Sequence, residues 1–191
     1  MFVLVPPNFD PSPDFREART TAATLSSALD AARPGKVVYL STIGAQATHS
    51  NLLSQHTIIE QALRELSLPI AFLRPGWFME NSAWDVASVT RNGVIPIFLR
   101  PPGPHRVTAN EIAAAFANLL GRPVRVEVVP RETRESLFKS QGTRNPTPRI
   151  QTLDGFNEGR IEFQGGHAGP RKGNVTLETV LRTLIERESK L

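Results

Sequence analysis

Residues 36–81 read KVVYLSTIGAQATHSNLLSQHTIIEQALRELSLPIAFLRPGWFMEN, and this stretch decides the fold. Lys36–Leu40 is a short apolar run rich in β-branched and aromatic residues, the pattern of a strand buried on both faces. Leu52, His56, Ile59, Leu63 and Leu66 then recur at steps of four and three, one apolar stripe along a helix. Pro69 stops that helix, and Ile70–Leu73 makes a second buried strand. A strand, a crossover helix and a strand in this order imply a parallel pair with a right-handed connection. Ligands of such sheets sit beyond the carboxyl ends of the strands. Two polar loops, Ser41–Gly44 and Arg74–Asn81, fall there and form the candidate site.

Toward the amino end, Phe2–Val5 reads as another buried strand, closed by Pro6-Pro7-Asn8 because proline cannot continue a ladder. Ser12-Pro13-Asp14 is a helix start, with serine as cap, proline at the first position and an acid facing the positive end of the dipole. Phe15, Ala18, Ala22, Leu25, Leu29 and Ala32 form its stripe, and Pro34-Gly35 closes it. The chain therefore opens strand, helix, strand, helix, strand, which is half of a doubly wound α/β sheet. Toward the carboxyl end, the proline-rich Leu99–Pro104 is the natural boundary, dividing residues 1–100 from a small α+β lobe over 101–191. In that lobe Thr108-x-x-Glu111 is a capping box, and Gly121 and Pro123 end the helix it opens. Val124–Val129 alternates apolar with charged residues, as a half-exposed edge strand does. Thr133–Ser140 reads as a short helix, 142–148 as loop, Leu153–Phe163 as helix or turn, and Gly165–Gly173 as a link. Leu177, Val180, Leu181, Leu184 and Ile185 mark a last amphipathic helix.

Composition bounds the function. The chain has 191 residues, 40% apolar and 21% charged, and carries 22 basic against 18 acidic residues, net +4. It holds no cysteine, so disulfide and thiolate chemistry are excluded. The start has no basic leader, and no apolar run approaches the roughly 20 residues that span a bilayer, so cytoplasm is the expectation. Nucleic-acid binding is not expected, because the arginines are scattered without interleaved aromatics. A mild arginine cluster between Arg131 and Arg149 reads either as a solvated surface or as attraction for phosphate-bearing ligands. The four histidines have no ligand spacing, so no metal site is expected, and no G-x-S-x-G elbow is present.

The phrases LSTIGAQ, LLSQHTIIEQALRELSLPIAFLRPGWFMENS and VTANEIAAAFANLLGRPVRVEVVPRE, with LDGFNEGRIEF, resemble the NmrA-like group of atypical short-chain dehydrogenase/reductases. The resemblance covers most of the chain, and RPGWFMEN and DGFNEG are its most specific parts. It implies a partial Rossmann-like fold that binds NADP or NAD, with a small-molecule substrate. It also implies that Met1 falls near the family's fourth strand and that elements are missing around LRPPGPH. The expectation is thus a member truncated at the amino end and shortened internally. No G-x-G-x-x-G loop occurs anywhere in the sequence.

By this resemblance the cofactor-binding candidates are Pro6, Pro7, Asn8, Ser41, Thr42, Gly44, Gln55, Arg74, Pro75 and Gly76. Trp77, Phe78, Glu80 and Asn81 are candidates for a substrate pocket. Each has a plainer reading. Ser41 and Thr42 equally well satisfy backbone groups at a strand end. Pro6–Asn8 serves as an ordinary turn, Glu80 and Asn81 as helix caps, and Trp77 and Phe78 as core, a reading that suits Phe78 better. Conventional dehydrogenases carry Tyr and Lys four residues apart, where this helix offers Asn51 and Gln55, neither able to act as a general acid. Tyr39, the sole tyrosine, lies in the sheet. No catalytic residue is assigned.

Three functions follow. The first is an NmrA-like NAD(P)-binding protein, a redox sensor or residual oxidoreductase whose cofactor binding is impaired by the missing glycine-rich loop. The second is an active NAD(P)H-dependent reductase of quinones or small carbonyl compounds. The third is a cofactor-free interaction module, with a homodimer formed through an exposed sheet edge.

Overall fold

A computed structural model describes residues 1–99, 107–164 and 173–189. The chain forms two compact units. Met1–Gly76 with Thr133–Gly165 make the first, and Trp77–Glu132 with Gly166–Leu191 the second. The linear division at 100/101 does not coincide with them. Long-range hydrogen bonds tie the 144–164 stretch to the first unit's loops, and these outweigh the cue of a proline-rich link. The proline-rich link itself (100–106) and the 165–172 part of the expected glycine-rich link lie outside the described residues.

In the first unit β1 (Phe2–Val3), β2 (Val37–Leu40) and β3 (Ile70–Leu73) form one sheet in the order β1-β2-β3. All pairings are parallel, with Phe2 opposite Val38 and Val38 opposite Ala71. The connections are helices α1 (Arg16–Ala32) and α2 (Ser54–Arg64). Strands added in sequence by right-handed crossovers receive their helices on one face. One core accordingly joins Val3, Val37 and Tyr39 to Ala22 and Leu29 of α1 and Ile59 and Leu63 of α2.

On the other face the described residues leave side chains of β1 and β3 exposed and Val38 and Leu40 of β2 half-buried, which corrects the expectation of strands buried on both sides. Phe2 is 59% exposed and Leu73 53%, and Leu4 and Ala71 are exposed beside them. The period of two in a strand sends these side chains opposite to Val3, Tyr39 and Phe72. A continuous apolar run records hydrophobicity on both faces, but not the presence of a second helical layer to meet it.

Helix α1 begins at Arg16, three residues later than proline at a first helical position implies. The cap residue is Phe15 in place of Ser12, although Ser12 Oγ accepts the Arg16 N–H at 3.0 Å and its own N–H reaches Glu17 Oε2 at 3.1 Å. Phe15, at φ 54, carries the intervening turn. The first unit also contains α5 (Arg134–Ser140) and α6 (Thr147–Asn157), the latter taking up residues expected as loop.

The second unit contains α3 (Ala83–Asn92), β4 (Val94–Ile97), α4 (Ala109–Leu120), β5 (Arg125–Val128) and α7 (Leu177–Glu188). β4 and β5 pair parallel, and Val86, Val89, Ile112, Phe116 and Leu181 make its core. Carbonyls of Gly93 and Ile97 face β5, so the intervening even position, Pro96, turns its missing N–H to the open edge. The Thr108/Glu111 capping box forms in both directions, and Gly121 ends α4 at φ 64. No described helix is long and apolar enough to cross a membrane.

Candidate functional site

Serine follows β2 and arginine follows β3, so both side chains leave the sheet at its carboxyl end. The ladder between these strands continues into the loops. Ser41 N–H donates to Leu73 O at 2.8 Å and Ile43 N–H to Pro75 O at 2.8 Å. Thr42 C=O accepts the Ala45 N–H at 3.3 Å, in a turn that Gly44 completes at φ +76. Positive φ suits glycine for want of a Cβ.

Between the two strand ends stands Glu60 of α2, which is 2% exposed. Its Oε1 accepts Ser41 Oγ–H at 2.5 Å and Arg74 Nε–H at 2.8 Å. Its Oε2 accepts Arg64 Nη2 at 2.9 Å and Arg74 Nη2, a close ion pair. Burial pushes the Glu60 carboxyl up, but hydrogen bonds from Arg74, Ser41 and Arg64 outweigh it and hold the group below its ordinary value. Arg74 is raised by the same bonds. A carboxylate that receives a two-point contact from guanidinium and two further donors is fully satisfied. Sequence reading missed Glu60. The available signal was its place beside Ile59, four after His56 and three before Leu63, a carboxylate on the flank of an apolar stripe.

The loop after β1 joins the same neighbourhood through α2. Gln55 Nε2 donates to Asn8 O at 2.9 Å and to Leu52 O at 3.0 Å. Asn8 Oδ1 accepts the Asp10 N–H at 3.1 Å, and Pro6 and Pro7 are exposed. Asn51 is buried and accepts the Leu53 N–H at 2.8 Å. Tyr39 Oη lies 2.8 Å from His56 Nδ1 inside the core. Burial raises the Tyr39 hydroxyl well above its ordinary value and lowers His56.

The residues on either side of DGFNEG reach these loops, which the sequence alone did not reveal. Asp10 accepts Arg144 Nε at 2.9 Å and the Asn145 N–H at 2.7 Å. Leu52 N–H donates to Thr152 Oγ1 at 2.9 Å, and Gln46 Nε2 to Glu162 O at 2.8 Å. Arg74 Nη1 also reaches Gln46 Oε1 and Gln164 Oε1. A Cβ on Gly44 would stand 2.5 Å from Ile161 Cγ2, and one on Gly76 2.8 Å from Phe163 Cζ. Both glycines therefore admit a neighbouring side chain of this chain. The arginine cluster is partly taken up in the fold as well. Arg134 is buried 3.7 Å from Asp154, and Arg149 lies 4.1 Å above the Phe138 ring.

The structure thus gathers Asn8, Ser41, Thr42, Gly44, Gln55, Arg74, Pro75 and Gly76 around the strand ends of the first unit. Trp77, Phe78, Glu80 and Asn81 belong to the second unit. Phe78 is 48% exposed, which corrects its assignment to the core. It stands just before the 3-10 turn Met79–Ser82, where its C=O accepts the Asn81 N–H at 3.0 Å. Neither Glu80 nor Asn81 caps α3 by a side-chain bond. Among the described residues no three His, Asp or Glu side chains converge as metal ligands.

No protein-family model matches the chain, and no curated protein matches it by sequence. Solved structures do match it. An NADPH-dependent quinone oxidoreductase of Escherichia coli, complexed with NADPH, superposes with a TM-score of 0.61 at 16% identity, covering 94% of this chain and 74% of that one. The Citrobacter sp. triphenylmethane reductase complexed with NADP(H) gives 0.57 at 17% identity, covering 94% and 74%. A nucleoside-diphosphate-sugar epimerase from Staphylococcus aureus gives 0.64 at 11% identity, covering 95% and 76%. Likeness at these identities carries the fold. The chain has the α/β, Rossmann-like fold of these reductases and this epimerase.

Proposed function

We propose that the chain binds NADP(H) or NAD(H) beyond the carboxyl ends of β2 and β3, as a redox sensor or residual oxidoreductase of the NmrA-like kind. One observation carries the reading: two polar loops, bonded to each other past neighbouring parallel strands, lie where such folds receive their ligands. Ser41 and Thr42 would meet the nicotinamide or its ribose, and the Pro6–Asn8 loop the adenosine and ribose. The pyrophosphate does not fit. The sequence has no glycine-rich loop, Ile161 and Phe163 fill the approach to Gly44 and Gly76, and Glu60 engages Arg74. Bound, the cofactor would supply a hydride. Tyr39 is buried in the core and unsuited to give a proton. The impaired, sensor-like reading therefore stands ahead of an active quinone or carbonyl reductase. In this reading Trp77, Phe78, Glu80 and Asn81 face the substrate, and the protein is cytoplasmic.

Titration with NADPH and NADH, followed by nucleotide fluorescence and melting temperature, tests this. Saturable binding with a rise in melting temperature is expected. A folded chain that binds neither nucleotide removes the reading. Quinone turnover altered by changes in Arg74–Phe78 would promote the reductase reading instead.

The exposed apolar side chains of β1 and β3 and the edge position of β1 among the described strands favour a second reading, association of two copies. Sedimentation showing a monodisperse monomer that melts cooperatively would dismiss it.

A further inference from the structure

Tyr39 is 0% exposed on the middle strand of the first unit's sheet, and its hydroxyl meets one group among the described residues, His56 Nδ1 at 2.8 Å. The surroundings fix which atom donates. If Nδ1 carried the proton, the Tyr39 hydroxyl could only accept, and its own proton would stay in the core without an acceptor. Tyr39 therefore donates, Nδ1 accepts, and His56 is neutral with its proton on Nε2. An imidazolium cannot take that place, because both of its nitrogens carry hydrogen. Acid must reverse the bond and orphan the hydroxyl.

The charged groups around the pair do not relieve this. Burial lowers His56 from 6.5, and Glu60, one turn along α2, opposes burial only in part. Glu60 is itself held by Ser41, Arg64 and Arg74. Across from α2, α1 turns Ala22 and Leu29 into the core and leaves Arg16, Glu17, Arg19 and Asp30 exposed. β1 carries no charge, and β3 presents Phe72 edge-on to Tyr39, the ring centroids 6.2 Å apart. No other charge among the described residues bears on His56.

We propose that the Tyr39–His56 pair is an acid-sensitive latch between β2 and α2, and that protonation of His56 loosens the loops that α2 holds at the strand ends. Those holds lie on either side of His56. Gln55, one residue before it, bonds Asn8 O, and Glu60, one turn after it, bonds Ser41 and Arg74. The latch is closed above pH 6.5 and opens as pH falls through the folded value of His56, which lies lower. It needs no ligand and stands apart from the dinucleotide reading.

Nuclear magnetic resonance of wild type tests it. At about pH 7.5, above the ordinary histidine value, Nδ1 of His56 should be unprotonated and Nε2 protonated. A proton on Nδ1 overturns the proposal. On acidification the Ser41 and Ile43 amides, corrected for the intrinsic pH dependence of exchange, should lose protection about tenfold as His56 titrates, the scale of one orphaned buried donor. Amides of α4 should keep theirs. Protection that falls while His56 is still neutral, or that holds once it is charged, overturns the proposal.

Two variants separate the latch from general effects of acid. In Tyr39→Phe no hydroxyl is left to orphan, so His56 should titrate closer to 6.5 and protection should not follow it. In His56→Asn, whose Oδ1 stands where Nδ1 does, Tyr39 keeps an acceptor that does not titrate, and protection should stay flat over the same range. A tenfold fall in either variant assigns the loss to other acidic groups and overturns the proposal. The wild-type protonation state and titration decide it even if neither variant folds.

Discussion

At the scale of single residues, charge placement carries the chemistry. Glu60→Ala would leave Arg74, only 17% exposed, without its carboxylate, and breaking such a pair costs about 3 kcal/mol. Urea unfolding should show that loss as a lower midpoint with an unchanged slope. The pH dependence has a definite sign. Glu60 titrates lower when folded, so its contribution is complete above the unfolded value of 4.5 and drains away as pH falls through the folded one. Asp85 of α3 behaves oppositely, because burial pushes its carboxyl from 3.8 up to about 6. The folded state then holds a proton that the unfolded state releases, and stability falls as pH rises from 3.8 to about 6. Asp85→Asn should remove that fall, and at pH 8 it should be the more stable protein by about 2 kcal/mol, measured by unfolding at pH 4 and pH 8. Ser41 and Arg74 were legible as strand-end residues. Their partner was not, because an acid beside a helix stripe reads as surface until the tertiary fold buries it.

At the scale of elements, caps and close approaches decide where chain segments stop and meet. Thr108→Ala removes the hydroxyl that receives the Glu111 N–H and should cost the second unit about 1 kcal/mol in calorimetric unfolding. Gly44→Ala meets both the positive φ and Ile161, so a loss of at least ~2 kcal/mol is expected. In an Ile161→Ala background the same change should cost only about 1 kcal/mol, leaving the backbone term, and a double-mutant cycle reads the difference. The capping box, the helix stripes and the strand runs could be read from local spacing. The meeting of Gly44 with Ile161, 117 positions apart in sequence, has no local signature.

At the scale of the whole molecule, the sheet of the first unit has one face under helices and keeps side chains of β1 and β3 exposed on the other. Leu73→Lys, on the open face, should change stability by no more than about 0.5 kcal/mol, whereas Val37→Lys, 1% exposed against the helices, should prevent folding. If two copies associate through that face, Leu73→Lys should also shift the sedimentation profile toward monomer. What the sequence by itself determined is the order β1-α1-β2-α2-β3, their approximate ends, the parallel sense of the three strands and the two loops at their carboxyl ends. These follow from hydrophobic period, proline and glycine placement, and the handedness of crossovers, all of which are local or chiral rules. Only the tertiary structure decided that β1 and β3 keep exposed side chains on one face, that Glu60 joins Ser41 to Arg74, that Arg144, Thr152 and Glu162 bond the first unit's loops, and that Phe78 is exposed. Each of these depends on which distant segment occupies a given space, and a pattern of nearby residues carries no record of that.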